Sequence, residues 1–148
     1  MYTRILVAID SSDTAKKAFD EALRLASALT AKLCVVHALD EGPLAQHALG
    51  IGTFIDADKI KGEMRQLAGQ LLDGAVATAA ASGITAERLL IESEKKRTAE
   101  QIADAAVQWH ADLIVVGTHG RHGVERLLVG SVAENLTRLA GTSLLMVR

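Results

Sequence analysis

Apolar positions along this chain fall into two alternating kinds of run. Ile5-Leu-Val-Ala-Ile9, Leu33-Cys-Val-Val-His-Ala-Leu39, Leu113–Val116 and Ser143-Leu-Leu-Met-Val147 are short and almost continuous. They are too short for helices and suit strands covered on both faces. Glu87-Arg-Leu-Leu-Ile91 is a fifth, more polar run and reads as an edge strand. Between these runs, apolar residues recur at three- and four-residue spacing, the mark of amphipathic helices. Ala15, Ala18, Phe19, Ala22, Leu25, Ala26 and Leu29 form one such stripe, begun by cap-forming side chains in Asp10-Ser-Ser-Asp13. Ile60, Met64, Leu67, Leu71, Ala75 and Ala79 form the next, in a helix from about Asp56 to Ala81 with Gly83 as its C′ residue. Thr98-Ala-Glu-Gln101 reads as a capping box opening a third helix, with Ile102, Ala103, Ala106 and Trp109 on its inner face. Ser131-Val-Ala-Glu134 reads as a second box opening a fourth. Asp40 to Phe54 holds the only proline, Pro43, and several glycines, and reads as a loop.

Strand and helix alternate from end to end, and that pattern calls for a parallel sheet with helices on both faces. The expected fold class is α/β: one three-layer domain over residues 1–148, with a five-stranded parallel sheet of order 3-2-1-4-5. This order reverses between the first and fourth strands. Open parallel sheets bind ligands at such a switch point, beyond the carboxyl ends of the strands. The two strands beside it end at Asp10 and Gly117.

Composition narrows the function. At 148 residues the chain is large enough to bury a core of its own. A net charge of −2 and an aromatic content of 3% argue against a basic nucleic-acid surface or a stacking platform for single strands. The single cysteine, Cys34, sits in an apolar run and has no internal partner for a disulfide, which fits a reducing cytoplasm and core packing. There is no basic segment leading into an apolar signal core, and no apolar run of about 20 residues to cross a bilayer. The expectation is a soluble cytoplasmic protein. His37, inside the second strand, reads as a core histidine with its polar needs met.

The segment Asp112 to Ser131 carries the candidate chemistry. An apolar strand enters a glycine-rich loop, and the loop returns to Gly130-Ser131 at a helix start. Gly117 and Gly120 permit tight turning and close approach of backbone to a ligand. Ser131 is placed to cap the helix, and the N–H groups of Val132 and Ala133 lie behind it, where a helix end favours anions. His119, Arg121, His122 and Arg126 add basic character to the loop. His119-x-x-His122 has no third ligand at a readable spacing, so no metal site is assigned to it. Asp10, at the end of the first strand, reads on its own as a helix-capping acid. The chain lacks Gly-x-x-x-x-Gly-Lys-Ser/Thr, and no general base is evident, so no residue is assigned a catalytic role.

The spacing Gly117-x-x-Gly120, nine residues, then Gly130-Ser131 resembles the ATP-binding signature of the universal stress protein family. Ile5-Leu-Val-Ala-Ile-Asp10, Val36-His-Ala-Leu-Asp40, Asp112–Gly120 and Gly130-Ser-Val-Ala-Glu-Asn135 resemble further parts of that family in order, along nearly the whole chain. The charged turn Glu92–Arg97 departs from its pattern. The resemblance implies a Rossmann- or flavodoxin-like domain and a homodimer paired through the last strand, Ser143 to Val147. It implies ATP with Mg²⁺ as cofactors and a regulatory role in the stress response, exerted on an unknown protein partner. The alternative is a slow ATPase or self-phosphorylating enzyme using the same site. The nucleotide contacts it implies are Ala8, Ile9 and Asp10 at the end of the first strand, with Asp10 a candidate for the adenosine end or for a bound Mg²⁺, the backbone of Ala38, then Gly117, His119, Gly120 and Arg121 of the loop, and Gly130, Ser131, Val132 and Ala133 at the last helix.

Overall fold

The computed structural model describes residues 1–40, 56–119 and 129–148. Its strands are β1 (Arg4–Ala8), β2 (Lys32–Ala38), β3 (Ala86–Ile91), β4 (Leu113–Gly117) and β5 (Ser143–Val147). The helices among the described residues are α1 (Asp13–Leu29), α2 (Ala57–Ala81), α3 (Thr98–Gln108) and α4 (Ser131–Leu139). All four strand pairings are parallel, in the order β3-β2-β1-β4-β5. This is the expected three-layer α/β fold, with the expected reversal between β1 and β4.

The pleat sorts the core into two halves. Ile5, Val7, Leu33, Val35, Leu113 and Val115 face α1 and α2. Leu6, Ala8, Cys34, Val36, Ile114 and Val116 face α3 and α4. Successive side chains of a strand point to opposite faces, so both faces must be apolar, and the continuous runs follow. Burial pushes the Cys34 thiol up to about 11, Glu87 adding to the rise and Arg4 opposing it, so Cys34 is an inert core thiol.

The helix termini depart from expectation by single residues. The N-cap of α3 is Arg97, one residue before the expected Thr98, and the Arg97 N–H donates to Glu100 Oε2 at 3.2 Å. Gln101 instead donates from Nε2 to the Lys96 carbonyl at 2.8 Å. The N-cap of α4 is Gly130, so Ser131 is the first helical residue and not the cap. The cause is tertiary: the Gly130 N–H is drawn 2.5 Å from the Thr118 carbonyl, which sets the helix start one residue early. The end of α2 agrees with expectation. Gly83 takes φ +76, its N–H bonds the Ala80 carbonyl, and the Ile84 N–H bonds that of Ala79, a complete Schellman closure.

The inner stripe of α2 also differs. Ala68, Leu72, Ala75 and Ala79 are buried, while the expected Leu67 is 66% exposed. Apolar residues surround this helix broadly, so periodicity leaves its rotation open, and packing on β2 and β3 decides it. Leu72→Ala should lower the unfolding free energy by about 2–5 kcal/mol. Leu67→Ala should change it by less than about 0.5 kcal/mol. Urea midpoints of the two variants check the orientation.

At the amino-terminal edge of the sheet, Asp112 ties β1 to β4. Its Oδ2 accepts from the Thr3 N–H at 2.8 Å and the Thr3 hydroxyl at 2.7 Å, and its Oδ1 accepts from the Arg4 N–H at 2.9 Å. Desolvation pushes its pKa up, but the bonds from Arg4 and Thr3 outweigh it and hold the carboxyl below its ordinary value. A depressed folded value means the stabilisation is complete above the ordinary aspartate range and drains away as pH falls through the folded value. The stability gap between the parent and Asp112→Asn should therefore be open near neutral pH and close in acid. Urea unfolding of both proteins across that range measures it, and a gap that does not narrow contradicts the assignment.

Candidate functional site

The carboxyl ends of β1 and β4 meet the starts of α1 and α4, and hydrogen bonds join all four. Asp10 follows β1, and its Oδ1 accepts the Ser12 N–H at 2.8 Å. This turn places Ser12 as the N-cap of α1, where its Oγ accepts from the Ala15 N–H at 3.2 Å. Asp10 therefore shapes the approach to the helix and does not itself cap it. The Ser12 hydroxyl also donates to the His119 carbonyl at 3.3 Å. The Thr14 hydroxyl donates to that same carbonyl and accepts from the His119 N–H.

These contacts need α1 to lie hard against β4, and Gly117 permits it. A Cβ at Gly117 would meet Thr14 Oγ1 at 2.6 Å, the Thr14 carbonyl carbon at 2.7 Å and the Ala15 nitrogen at 2.9 Å. Two of those atoms are backbone and cannot swing aside. The role the structure gives Gly117 is helix-to-strand packing.

Thr118 is 3% exposed and fully engaged. Its N–H donates to the Val147 carbonyl at 2.8 Å, and its carbonyl accepts the Gly130 N–H. Its Oγ1 lies 2.9 Å from His119 Nδ1. His119 Nε2 is covered from solvent and has no hydrogen-bond partner among the described residues. Gly130 is extended, at φ −62 and ψ 155, and supplies no capping side chain to α4. Among the described residues the first N–H groups of that helix have no side-chain acceptor, at an end carrying roughly +0.5 elementary charge. Ser131 is exposed, Val132 half-buried and Ala133 buried.

One chain of hydrogen bonds therefore joins Asp10, Ser12, His119, Thr118 and Gly130. Ile9 is linked to β2 by its N–H to the Val36 carbonyl at 2.9 Å. His37 Nδ1 lies 2.7 Å from the Ile9 carbonyl oxygen, which can only accept, so Nδ1 carries the proton. His37 is thus a half-buried, bonded histidine. Ala38 ends β2 and pairs with Ile91. Gly120 and Arg121, with His122 and Arg126, lie outside the described residues. Ser12, Thr14 and Thr118 are parts of the site that sequence reasoning missed. The Ser12 hydroxyl was legible only as cap chemistry and that of Thr14 not at all, because the partner they share is more than a hundred positions away.

The sequence profile of the universal stress protein family matches residues 1–148. The chain belongs to that family. It is 31% identical to universal stress protein YxiE of Bacillus subtilis over 151 aligned residues, covering all of both chains. The crystal structure of a universal stress protein in complex with cAMP is similar at 28% identity and TM-score 0.70, covering 99% of this chain and 97% of that one. The structure of the universal stress protein from Archaeoglobus fulgidus in complex with dAMP is similar at 26% identity and TM-score 0.67, over 99% and 98%.

Within this universal stress protein fold, Gly117→Ala should cost about 1–3 kcal/mol, because the new methyl forces α1 away from β4. An unfolding free energy within about 0.5 kcal/mol of the parent would mean that the two elements part without penalty.

Proposed function

We propose that this universal stress protein binds ATP at the switch point between β1 and β4 and uses its occupancy as a regulatory signal in the stress response. The observation that carries the reading is the uncapped start of α4, held by Thr118 beside His119. It offers an anion the N–H groups of Ser131, Val132 and Ala133 and the Ser131 hydroxyl. His119 Nε2 is a covered nitrogen with no hydrogen-bond partner among the described residues, and a ligand is one way to meet that need. Ala8, Ile9, Asp10 and Ala38 provide the adenosine side, with Gly117, Gly120 and Arg121 on the path of the loop. Two similar universal stress proteins that bind cAMP and dAMP support an adenine nucleotide as the ligand class.

Mg²⁺ suits this setting as a companion of the phosphates, whose charge it neutralises. Among the described residues no group of three or more His, Cys, Asp or Glu side chains could hold a metal by itself. Phosphate oxygens and water would supply most of its ligands, with Asp10 as the nearby carboxylate. Glu134, in the first turn of α4, opposes an anion there, and its ion pair with Arg138 at 3.4 Å tempers that effect. The proposed assembly is a homodimer joined through β5, and the proposed setting is the cytoplasm. Among the described residues no helix is long and apolar enough to cross a membrane.

Gly130→Asp separates binding from folding. Gly130 already has a conformation that any residue adopts, and aspartate is a strong N-cap. The variant should keep or gain stability, while its carboxylate repels phosphate and lowers ATP affinity by about tenfold or more. Calorimetric titration with Mg-ATP reads the affinity and thermal unfolding the stability. Absence of measurable ATP binding by the parent protein would overturn the proposal.

A further inference from the structure

Just past the end of β1, one rung of the sheet is missing. The β1–β2 ladder runs to Ala8 opposite Val36, and the Ile9 N–H still donates to the Val36 carbonyl at 2.9 Å. In a parallel pair the next bond comes back from the other strand, so the following rung would carry the Ala38 N–H to the Ile9 carbonyl. That rung is not made, and the Ala38 N–H has no other hydrogen-bond partner among the described residues. Two neighbouring ladders do continue at this edge of the sheet. The Leu39 N–H donates to the Ile91 carbonyl at 2.9 Å, and the Thr118 N–H to that of Val147 at 2.8 Å.

His37 accounts for the gap. Its Nδ1–H donates to the Ile9 carbonyl at 2.7 Å and so occupies the acceptor that the rung needs. Side chains alternate along a strand, which puts His37 on the same face as Leu33 and Val35, the face covered by α1 and α2. Backbone groups alternate between the two neighbouring strands in the same way. The Leu39 N–H points to β3, so that of Ala38 points toward β1. Ala38 is half-buried, and a backbone donor in such a place is nearly always paired. Here it is an open donor, held beside the Ile9–Asp10 end of β1.

We propose that His37 is a positioning residue of the proposed nucleotide site. By holding the Ile9 carbonyl it keeps the ladder from closing and leaves the Ala38 N–H to the base of the nucleotide. This rests on the nucleotide reading above and adds a means of choosing the base. The start of α4, assigned to the phosphates, follows β4, and β1 lies between β4 and β2. The base therefore meets Ala38 with its edge farthest from the ribose. On adenine that edge carries N1, a ring acceptor. On hypoxanthine N1 carries a hydrogen, and two donors facing each other would leave both unpaired. A fixed N–H at Ala38 thus selects adenine over hypoxanthine.

Hydrogen exchange of the Ala38 amide, followed by NMR on the full chain, tests the role of His37 without any nucleotide. His37→Leu releases the Ile9 carbonyl, the rung should close, and exchange at Ala38 should slow by about tenfold or more relative to the parent. Asparagine carries an N–H close to the position of the imidazole Nδ1, so His37→Asn should keep the parent's fast exchange. Equal exchange at Ala38 in the parent and His37→Leu would overturn the proposal whether or not ATP binds, which separates its failure from that of the nucleotide reading. Titrations with ATP and ITP test the choice of base. ATP should protect the Ala38 amide of the parent, and ITP should bind about tenfold more weakly, the worth of one buried hydrogen bond. His37→Leu should bind ATP about tenfold more weakly and lose the preference over ITP, while His37→Asn should keep both. Equal affinity of the parent for ATP and ITP, or a preference that survives in His37→Leu, would overturn the proposal.

Discussion

The first turn of α1 lies against the end of β4 with no room for a methyl group between them, and the arrangement of the site depends on that contact. Because Gly117 has no side chain, Thr14 and Ser12 can both reach the His119 carbonyl. The backbone is thereby held as it leaves the sheet. Thr118, the residue between, is fixed in turn to β5 through Val147 and to α4 through Gly130. The position of the α4 start relative to the end of β1 is thus transmitted through two residues of β4's extension. A helix start makes an anion site only where it is held still against the rest of the site, and here the holding is done by hydroxyls and backbone.

The composition of the core explains how the helices come so close. Aromatic residues make up 3% of the chain, and the inner faces of the helices are rich in alanine. Ala15, Ala18, Ala22 and Ala26 line α1, and Ala99, Ala105 and Ala106 line α3, against branched residues of the strands. Small faces let helix backbones sit close to the sheet, where density is gained by dispersion contacts. Strand ends and helix starts then emerge side by side at the carboxyl edge, within direct hydrogen-bonding distance.

The fold was legible because strands buried on both faces leave long apolar runs, and alternation with helices leaves few topologies. The positions of Asp10 and Gly117 at the switch point followed from strand order. What escaped was contact between distant segments. Thr14 and His119 are separated by 105 positions, and nothing local marks Thr14 as more than a first-turn residue. The cap of α4 was misplaced by one residue for the same reason, since Ser131 has the better capping side chain but Gly130 has the tertiary bond to Thr118. On α2 the miss was one of rotation. Leu67 is more apolar than Ala68, yet Ala68 faces the sheet, because the helix sits where Leu72, Ala75 and Ala79 all pack.

The two edges of the sheet are built differently, and the difference bears on how a signal could leave the proposed nucleotide site. The β3 edge is guarded by charge: Arg88 pairs with Asp73 at 3.1 Å, and Glu87 accepts from the Trp109 indole at 3.1 Å. Charged side chains of this kind discourage strand addition. The β5 edge has no charged residue between Ser143 and Val147; Leu144, Leu145 and Val147 are half-buried and Met146 is 39% exposed. Of the two edges, β5 is the one chemically suited to pairing with a second copy. It is also the one wired to the site, because the Val147 carbonyl holds Thr118, and Thr118 holds Gly130. A nucleotide that draws on the α4 start and a partner that pairs with β5 would pull on the same two hydrogen bonds. That shared element gives the proposed switch a physical route from ligand to the proposed dimer edge that requires no large rearrangement of the core.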